Sequence, residues 1–134
     1  KENIDLSYRH SAFMNSGRII LRVRIKLRKG TVSEIEQKME TLISKRREKQ
    51  PLNYPSAGST FKRPEGAFAA ALIEECGLKG FSVGDAQVSE KHSGFVINKG
   101  NATFDDIMQL VEEVRKKVKT DTGYELELEP EILR

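Results

Sequence analysis

Cysteine and histidine are scarce in this sequence, and their scarcity excludes several kinds of site. The chain has one cysteine, Cys76, so no internal disulfide can form, which fits a reducing compartment. Cys76 lies in the apolar-rich stretch FAAALIEECG, and we interpret it as a packing residue and not a nucleophile. Two histidines, His10 and His92, give no recognisable zinc-ligand spacing with it. We therefore expect no structural metal.

Long apolar runs are absent as well. No run approaches the roughly 18 residues that a membrane-spanning helix needs. The first ten residues, KENIDLSYRH, lack the apolar core of a signal peptide. We expect a cytoplasmic protein with no membrane partner. The chain begins with Lys1 and not with methionine, which we interpret as a fragment or a processed product.

The composition fits one modest globular domain. The chain has 134 residues, of which 37% are hydrophobic and 32% charged. A net charge of +3, from 23 basic and 20 acidic residues, is too small to imply nucleic acid by itself. The basic residues that alternate from Arg22 to Arg28 and the cluster KRREK at 45–49 have few aromatic neighbours. We favour a solvated face there over a nucleic-acid site.

The pattern of apolar residues predicts an α+β domain, in which a mixed small sheet packs with about three helices. RIILRVRIKLRKG alternates apolar and basic residues and predicts a strand that ends at Gly30. Thr31 and Glu34 form a capping-box pattern for a helix to about Lys49. One face of that helix carries four apolar residues: Ile35, Met39, Leu42 and Ile43.

The second half of the chain predicts two more helices and several strands. A helix from about Ala67 to Cys76 should close at Gly77. Short strands are predicted at 81–88 and 95–98, joined by an exposed polar link. A third helix should run from near Thr103 to near Gly123, with its buried side formed by Phe104, Ile107, Leu110, Val111, Val114 and Val118. YELELEPEI alternates and predicts a last strand, at a sheet edge because of Pro130.

The stretch YPSAGSTFKRP at 54–64 is the most suggestive motif. Small residues between two prolines are typical of a plain turn, but they also let backbone N–H groups and a hydroxyl approach a ligand, with Lys62 and Arg63 ready for phosphate. Ser59 has no nearby aspartate or histidine and no G-x-S-x-G context, so a hydrolase triad is not supported. His92 alone indicates only a polar loop residue. Alternation on the outer face of a strand explains the four glutamates at 125–131 more simply than metal binding does.

A set of ordered motifs resembles a known family. The motifs are YRHSAF, QPLNYPSAGSTFKRPEG, LIEECGLKG, GDAQVSEKHSGFVIN and LELEPEI. In order and spacing they closely resemble the C-terminal part of the UDP-N-acetylenolpyruvoylglucosamine reductases, in the shorter, second type of that family. The resemblance implies a part in bacterial peptidoglycan synthesis. It also implies FAD, reduced by NADPH, which passes a hydride to the enolpyruvyl group of UDP-N-acetylglucosamine enolpyruvate to give UDP-N-acetylmuramate.

The resemblance also implies residue roles. Ser59 matches the serine that protonates the carbon next to the one receiving the hydride, Arg9 matches the arginine that engages the substrate carboxylate, and Glu131 matches the glutamate that helps to stabilise the enolate. The implied substrate-binding residues are Lys49, Lys62, Arg63, Lys79 and His92. The chain departs from the family at Gly84-Asp85, where two glycines are usual, at Met14, where a lysine is common, and at His92, where the longer type has glutamine.

The resemblance finally predicts a domain arrangement. Residues 1–30 would be the tail of the FAD-binding domain, 31–122 the substrate-binding domain, and 123–134 a strand that returns to the FAD-binding part. The N-terminal half that holds most of the FAD would be a partner outside this chain, and the fragment alone would be inactive. A competing hypothesis is a stand-alone module that binds a UDP-sugar or phosphate without redox chemistry.

Overall fold

Three helices and a four-stranded sheet form the regular structure of residues 4–133, the part of the chain that the computed structural model describes. The predicted α+β class is confirmed. None of the helices in this range has the length and apolar character to cross a membrane. In chain order the elements are α1 (Val32–Lys49), β1 (Ser56–Ser59), α2 (Ala69–Glu75), β2 (Ser82–Val83), β3 (Ala86–Val88), β4 (Phe95–Asn98) and α3 (Phe104–Thr122).

The chain divides into two units, Lys1–Ile35 and Glu36–Arg134, and the boundary falls within α1. In the first unit, the backbone of Ser7 and His10 closes a tight turn through two hydrogen bonds of 3.1 and 3.2 Å. From residue 17 to 31 no strand is assigned, so the strand predicted for RIILRVRIKLRKG is wrong. A strand is stable only when its backbone groups pair with a neighbouring strand, and this segment has no such assigned pairing.

Helix α1 ends at Lys49, as predicted, but it buries none of its side chains against the rest of the chain. None of its residues is buried, and its four apolar residues on one face are 41–57% exposed. Their spacing is amphipathic all the same, because they recur every three to four positions. The helix therefore presents an uncovered apolar face.

The sheet belongs to the second unit and has the strand order β1-β4-β3-β2, with every neighbouring pair antiparallel. The single strand predicted at 81–88 is instead a hairpin, because Gly84-Asp85 forms a two-residue turn between β2 and β3. Gly84 has φ +54°, which hairpin turns of this length require and which glycine adopts without strain. The strand predicted at 95–98 is confirmed as β4.

Helices α2 and α3 supply the core beside the sheet. Helix α3 begins with a capping box between Thr103 and Asp106 and ends at Gly123, whose φ is +78°. Gly77, with φ +69°, closes α2 as predicted: its N–H donates to the Glu74 carbonyl. Phe104 was predicted to be buried but is 61% exposed, since it stands in the first turn of α3. The buried residues of α3 are Leu110, Val111, Val114 and Val118.

Two predictions about the connecting segments need correction. The link between β3 and β4 is not simply exposed, because Ser89 and Ser93 are buried and hydrogen-bonded within the second unit. The last segment is not a full strand: it makes one bridge, between Phe61 and Leu128. Its alternation nevertheless holds at Leu126, which is buried in the core.

Candidate active site around Ser59

Ser59 ends β1 at a bulge on the edge of the sheet. Ser56 pairs with Ile97 and Ser59 with Phe95, so three steps along β1 oppose two along β4. A bulge of this kind bends a strand and re-aims its side chains. Gly58 within it has φ +87°, and a Cβ added there would meet nothing within 4 Å. Glycine is therefore required by the backbone conformation, and the space beside the exposed Ser59 is open.

The backbone that follows Ser59 is held firmly. Thr60 is buried, its N–H donates to the Gly94 carbonyl at 2.8 Å, and its Oγ1 accepts from the Val96 N–H at 2.9 Å. Its carbonyl accepts from the Glu129 N–H at 3.0 Å. These three bonds hold the residue that directly follows the strand end. The Ser59 hydroxyl thus projects from a rigid support.

A groove of about 480 Å³ lies beside Ser59. One wall comes from the end of α1, where the Arg46 Nε donates to the Gln50 Oε1 at 2.8 Å. Sequence reasoning had placed Arg46 in a solvated basic cluster and did not assign it to a site. Its place in the last turn of α1, shortly before Pro51, was the only local signal. The groove is lined by Arg46, Gln50, Leu52, Tyr54, Pro55, Ser56, Gly58, Ser59 and Phe95.

Glu131 lines a second, larger groove of about 620 Å³. The two grooves share Pro55 and Ser56, so they adjoin at the start of β1. Most residues that line this larger groove are apolar. They include Phe104, so the exposed aromatic ring forms part of the groove surface. The structure therefore brings Ser59 and Glu131 to neighbouring grooves, and the role of Glu131 stays a prediction.

Arg9 belongs to the first unit, at the tip of the turn that Ser7 and His10 close. Its φ of +51° lies in the left-handed region, which is uncommon outside glycine and asparagine. The guanidinium carbon lies 5.3 Å from the centre of the Tyr8 ring, a cation–π distance. Arg9 lies in the first unit and the groove beside Ser59 in the second, and a place for Arg9 beside the substrate stays a prediction.

Three of the predicted substrate-binding cations already have partners. Lys62 pairs with Glu127 at 3.1 Å and Lys79 with Glu74 at 2.6 Å. The guanidinium of Arg63 lies 3.9 Å from the centre of the Phe68 ring. All three cations are exposed. Exposed ion pairs contribute only about 0–1 kcal/mol to stability, so replacing Glu127 or Glu74 by a phosphate as the partner of Lys62 or Lys79 would cost little. Lys49 is exposed in the last turn of α1.

His92 is half-buried and ordered by its neighbours. Its Nδ1 accepts a hydrogen bond from the Gly94 N–H at 3.1 Å. Its ring meets Phe95 edge to face, with centroids 4.9 Å apart and planes at 69°. Because Phe95 lines the Ser59 groove, His92 supports a wall of that groove. Direct contact between His92 and a ligand stays a prediction.

Cys76 is part of the core. Burial raises the pKa of its thiol, and the nearby Asp121 carboxylate raises it further. A thiol with a raised pKa is a weak nucleophile at neutral pH. The interpretation of Cys76 as a packing residue agrees with its place in the hydrophobic cluster.

Fold and site together define an α+β domain with a serine hydroxyl exposed at a strand bulge, beside a groove. Residues 50–133 match the family model for the C-terminal domain of UDP-N-acetylenolpyruvoylglucosamine reductase. The match covers more than half of the chain, which therefore belongs to this family. The resemblance seen in the sequence is confirmed.

Proteins named UDP-N-acetylenolpyruvoylglucosamine reductase are close in sequence. The one from Clostridium novyi (strain NT) is 55% identical over 133 residues, which are 99% of this chain and 43% of that protein. The one from Caldanaerobacter subterraneus subsp. tengcongensis is also 55% identical, over 98% of this chain and 43% of that protein. The chain thus spans less than half the length of these relatives.

A solved structure shares the fold. The crystal structure of UDP-N-acetylenolpyruvylglucosamine reductase from Thermus caldophilus superposes with a TM-score of 0.79 at 39% identity. The match covers 97% of this chain and 46% of that one. The arrangement of helices and sheet is therefore that of the matched part of this reductase.

Proposed function

We propose that this chain is the C-terminal, substrate-binding and proton-donating part of a reductase that converts UDP-N-acetylglucosamine enolpyruvate to UDP-N-acetylmuramate in peptidoglycan synthesis. The observation that carries the proposal is Ser59: an exposed hydroxyl on a rigid strand end, beside an open groove. Family membership supplies the reaction class. The other half of the protein would be the partner of this chain, and the isolated chain would be inactive.

The cofactors would be FAD and NADPH. Bound FAD, reduced by NADPH, would supply the hydride that the vinyl group accepts. The residues fit the substrate side of such a site, because the Ser59 hydroxyl, the Glu131 carboxylate and the Arg46 guanidinium line the two adjoining grooves. We assign most of the FAD contacts to the half of the protein that lies outside this chain.

Ser59 would donate the proton. A serine hydroxyl is a weak acid, so it can protonate carbon only if it stays within hydrogen-bonding reach of a short-lived carbanion. The hydrogen bonds of Thr60 hold the backbone next to Ser59 in place. Open space at Gly58 lets the substrate come close to the hydroxyl. The small residues of the AGS motif thus serve both the bulge and the approach.

Arg9 and Glu131 would stabilise charge on the substrate. A guanidinium binds a carboxylate through two parallel hydrogen bonds, which suits Arg9 to the enolpyruvyl carboxylate. Glu131 would help to stabilise the enolate that forms when the hydride adds. The exposed cations Lys49, Lys62, Arg63 and Lys79, together with His92, would bind the remainder of the substrate, including its diphosphate.

The proposed domain arrangement is the one that the resemblance implies: 1–30 as the tail of the FAD-binding domain, 31–122 as the substrate domain and 123–134 as the returning segment. The uncovered apolar residues between 19 and 27 support a further packing partner for the first of these. A cytoplasmic location is supported by the unpaired Cys76.

The test is the substitution Ser59→Ala in the complete reductase. Reduction of the flavin by NADPH should continue at the wild-type rate, whereas its reoxidation by the enolpyruvyl substrate should slow by about 10²- to 10⁴-fold. Stopped-flow absorbance of the flavin separates the two steps. The matched control is Ser82→Ala, which removes an exposed hydroxyl from β2.

Equal loss of both steps in Ser59→Ala would contradict the role of Ser59. If a UDP-sugar bound tightly to the wild-type protein but was never reduced, the chain would belong to a binding module instead. Loss of activity in Ser82→Ala would show that the domain is merely sensitive to substitution.

A further inference from the structure

We propose that Lys91 is a positioning residue that holds the end of α1 against the 89–94 loop and thereby sets the width of the groove beside Ser59. Its Nζ donates a hydrogen bond to the Arg47 carbonyl at 2.6 Å, across 44 positions of sequence. The inference rests on the proposed function, because it assigns Lys91 a part in substrate binding at that groove.

The acceptor of this bond is a carbonyl that α1 itself cannot satisfy. In a helix, the Arg47 carbonyl would accept from the N–H four positions later. That position is Pro51, which has no N–H, whereas one position earlier the Gln50 N–H still bonds to the Arg46 carbonyl at 2.9 Å. Lys91 therefore supplies the missing donor. Its positive charge also suits the negative end of the helix dipole.

The loop that carries Lys91 is itself anchored. Ser89 Oγ accepts from the Lys91 N–H at 3.2 Å and from the His92 N–H at 3.3 Å. Ser93 Oγ donates to the Ala70 carbonyl of α2 at 2.6 Å. The Gly94 carbonyl accepts from the Thr60 N–H, directly after Ser59. The loop is thus fixed to the body of the domain, and Lys91 extends that support to α1.

The tether acts on the groove because Arg47 lies between two residues of one groove wall. Arg46 of α1 and Gln50, the residue directly after α1, lie on that wall, and Ser59 and Phe95 of the sheet also line the groove. Helix α1 has no buried residue, so its own packing holds it weakly. Lys91 is not among the described residues that line the groove. Its effect should therefore reach a ligand through the position of α1.

The experiment compares Lys91→Met, Lys91→Arg and Lys99→Met with wild type in the complete reductase. Lys91→Met should raise the KM for the enolpyruvyl substrate about tenfold, because substrate binding must then order the end of α1 without the charge-assisted hydrogen bond from Lys91, and should change kcat by less than about threefold. Lys91→Arg keeps a long cationic donor and should restore KM to within about threefold of wild type. Lys99→Met removes an exposed lysine of the same charge and should leave KM unchanged.

Amide hydrogen exchange gives a readout that does not depend on activity. In Lys91→Met, the amides of residues 46–50 should exchange faster than in wild type, and Lys91→Arg should restore their protection. Unchanged exchange would overturn the tether. A raised KM without faster exchange would mean that Lys91 touches the ligand itself, which also overturns the proposal.

The two proposals fail in different ways. A wild-type enzyme that does not reduce the enolpyruvyl substrate would refute the proposed function, and faster exchange in Lys91→Met would then still support the tether. Faster exchange with an unchanged KM in an active enzyme would overturn only the role of Lys91 at the groove.

Discussion

Two segments of this chain share a pattern and differ in structure. Residues 21–27 alternate apolar and basic side chains, and residues 124–128 alternate apolar and acidic ones. In the first segment Leu21 is 92% exposed and no strand is assigned. In the second, Leu126 is 1% exposed and Leu128 forms a bridge with Phe61.

The difference shows what alternation does and does not determine. A period of two tells which side chains share a face, but it does not provide the partner whose backbone completes the hydrogen bonds. The second segment finds Thr60, Phe61 and Lys62, which follow Ser59 directly. The final segment is thereby joined to the candidate site.

The largest difference between the two segments is expected when one leucine of each is replaced by alanine. Leu126→Ala should destabilise the chain by about 2–5 kcal/mol, because it leaves a cavity in the core. Leu21→Ala should change the free energy of unfolding by less than about 0.5 kcal/mol, because its side chain is already solvated. Urea unfolding followed by circular dichroism measures both.

The complete reductase provides the control for this pair. If residues 1–30 belong to the FAD-binding domain, Leu21→Ala should destabilise the complete protein although it leaves this chain unaffected. Equal and small effects of Leu21→Ala in both proteins would count against that domain assignment.

A smaller effect on the free energy of unfolding is expected at the start of α3, the helix that precedes residues 124–128. Thr103→Ala removes the capping box and should cost about 1 kcal/mol, within a range of about 0.5–2. The matched control is Thr120→Ala on the same helix, whose exposed hydroxyl bonds back to the Lys116 carbonyl. Thermal unfolding should show a lower Tm for Thr103→Ala than for Thr120→Ala. The reverse order would mean that the cap contributes little.

The smallest effect concerns Glu125, on the acidic face of residues 124–128. The pKa of Glu125 lies below its ordinary value of 4.5 because the Lys119 Nζ donates to its carboxylate. A carboxyl whose pKa is lowered by folding stabilises the protein above its unfolded pKa, and this contribution is lost as the pH falls through the folded pKa. Wild type should therefore be slightly more stable than Glu125→Gln at pH 6, and the difference should vanish well below pH 4.5.

Salt provides the check on that assignment. The pair is exposed, so about 1 M salt, which shortens the screening length to about 3 Å, should remove most of the difference between Glu125→Gln and wild type at pH 6. A difference that persists unchanged in salt and in acid would have another cause than the ion pair with Lys119.

The candidate site could be predicted from the sequence only in part. The motif AGS and its resemblance to a family indicated Ser59 and the need for small neighbours. The bulge could not be predicted, because it depends on how β1 pairs with β4. Arg46 was missed for a similar reason: it shares the groove with Ser59, which lies 13 positions away in the sequence and on another element.

Several features of this protein depend only on interactions between residues that are close in the sequence. Helix spans, the glycines that end α2 and α3, and the capping box at Thr103 depend on residues within a few positions of one another, so the sequence by itself determined them. Strand partners, the Gly84-Asp85 hairpin in place of one strand, and the contact between Lys91 and the Arg47 carbonyl depend on which distant groups come together. Only the tertiary structure decided these, because a backbone group that lacks a local partner takes whichever donor or acceptor the packing brings within reach.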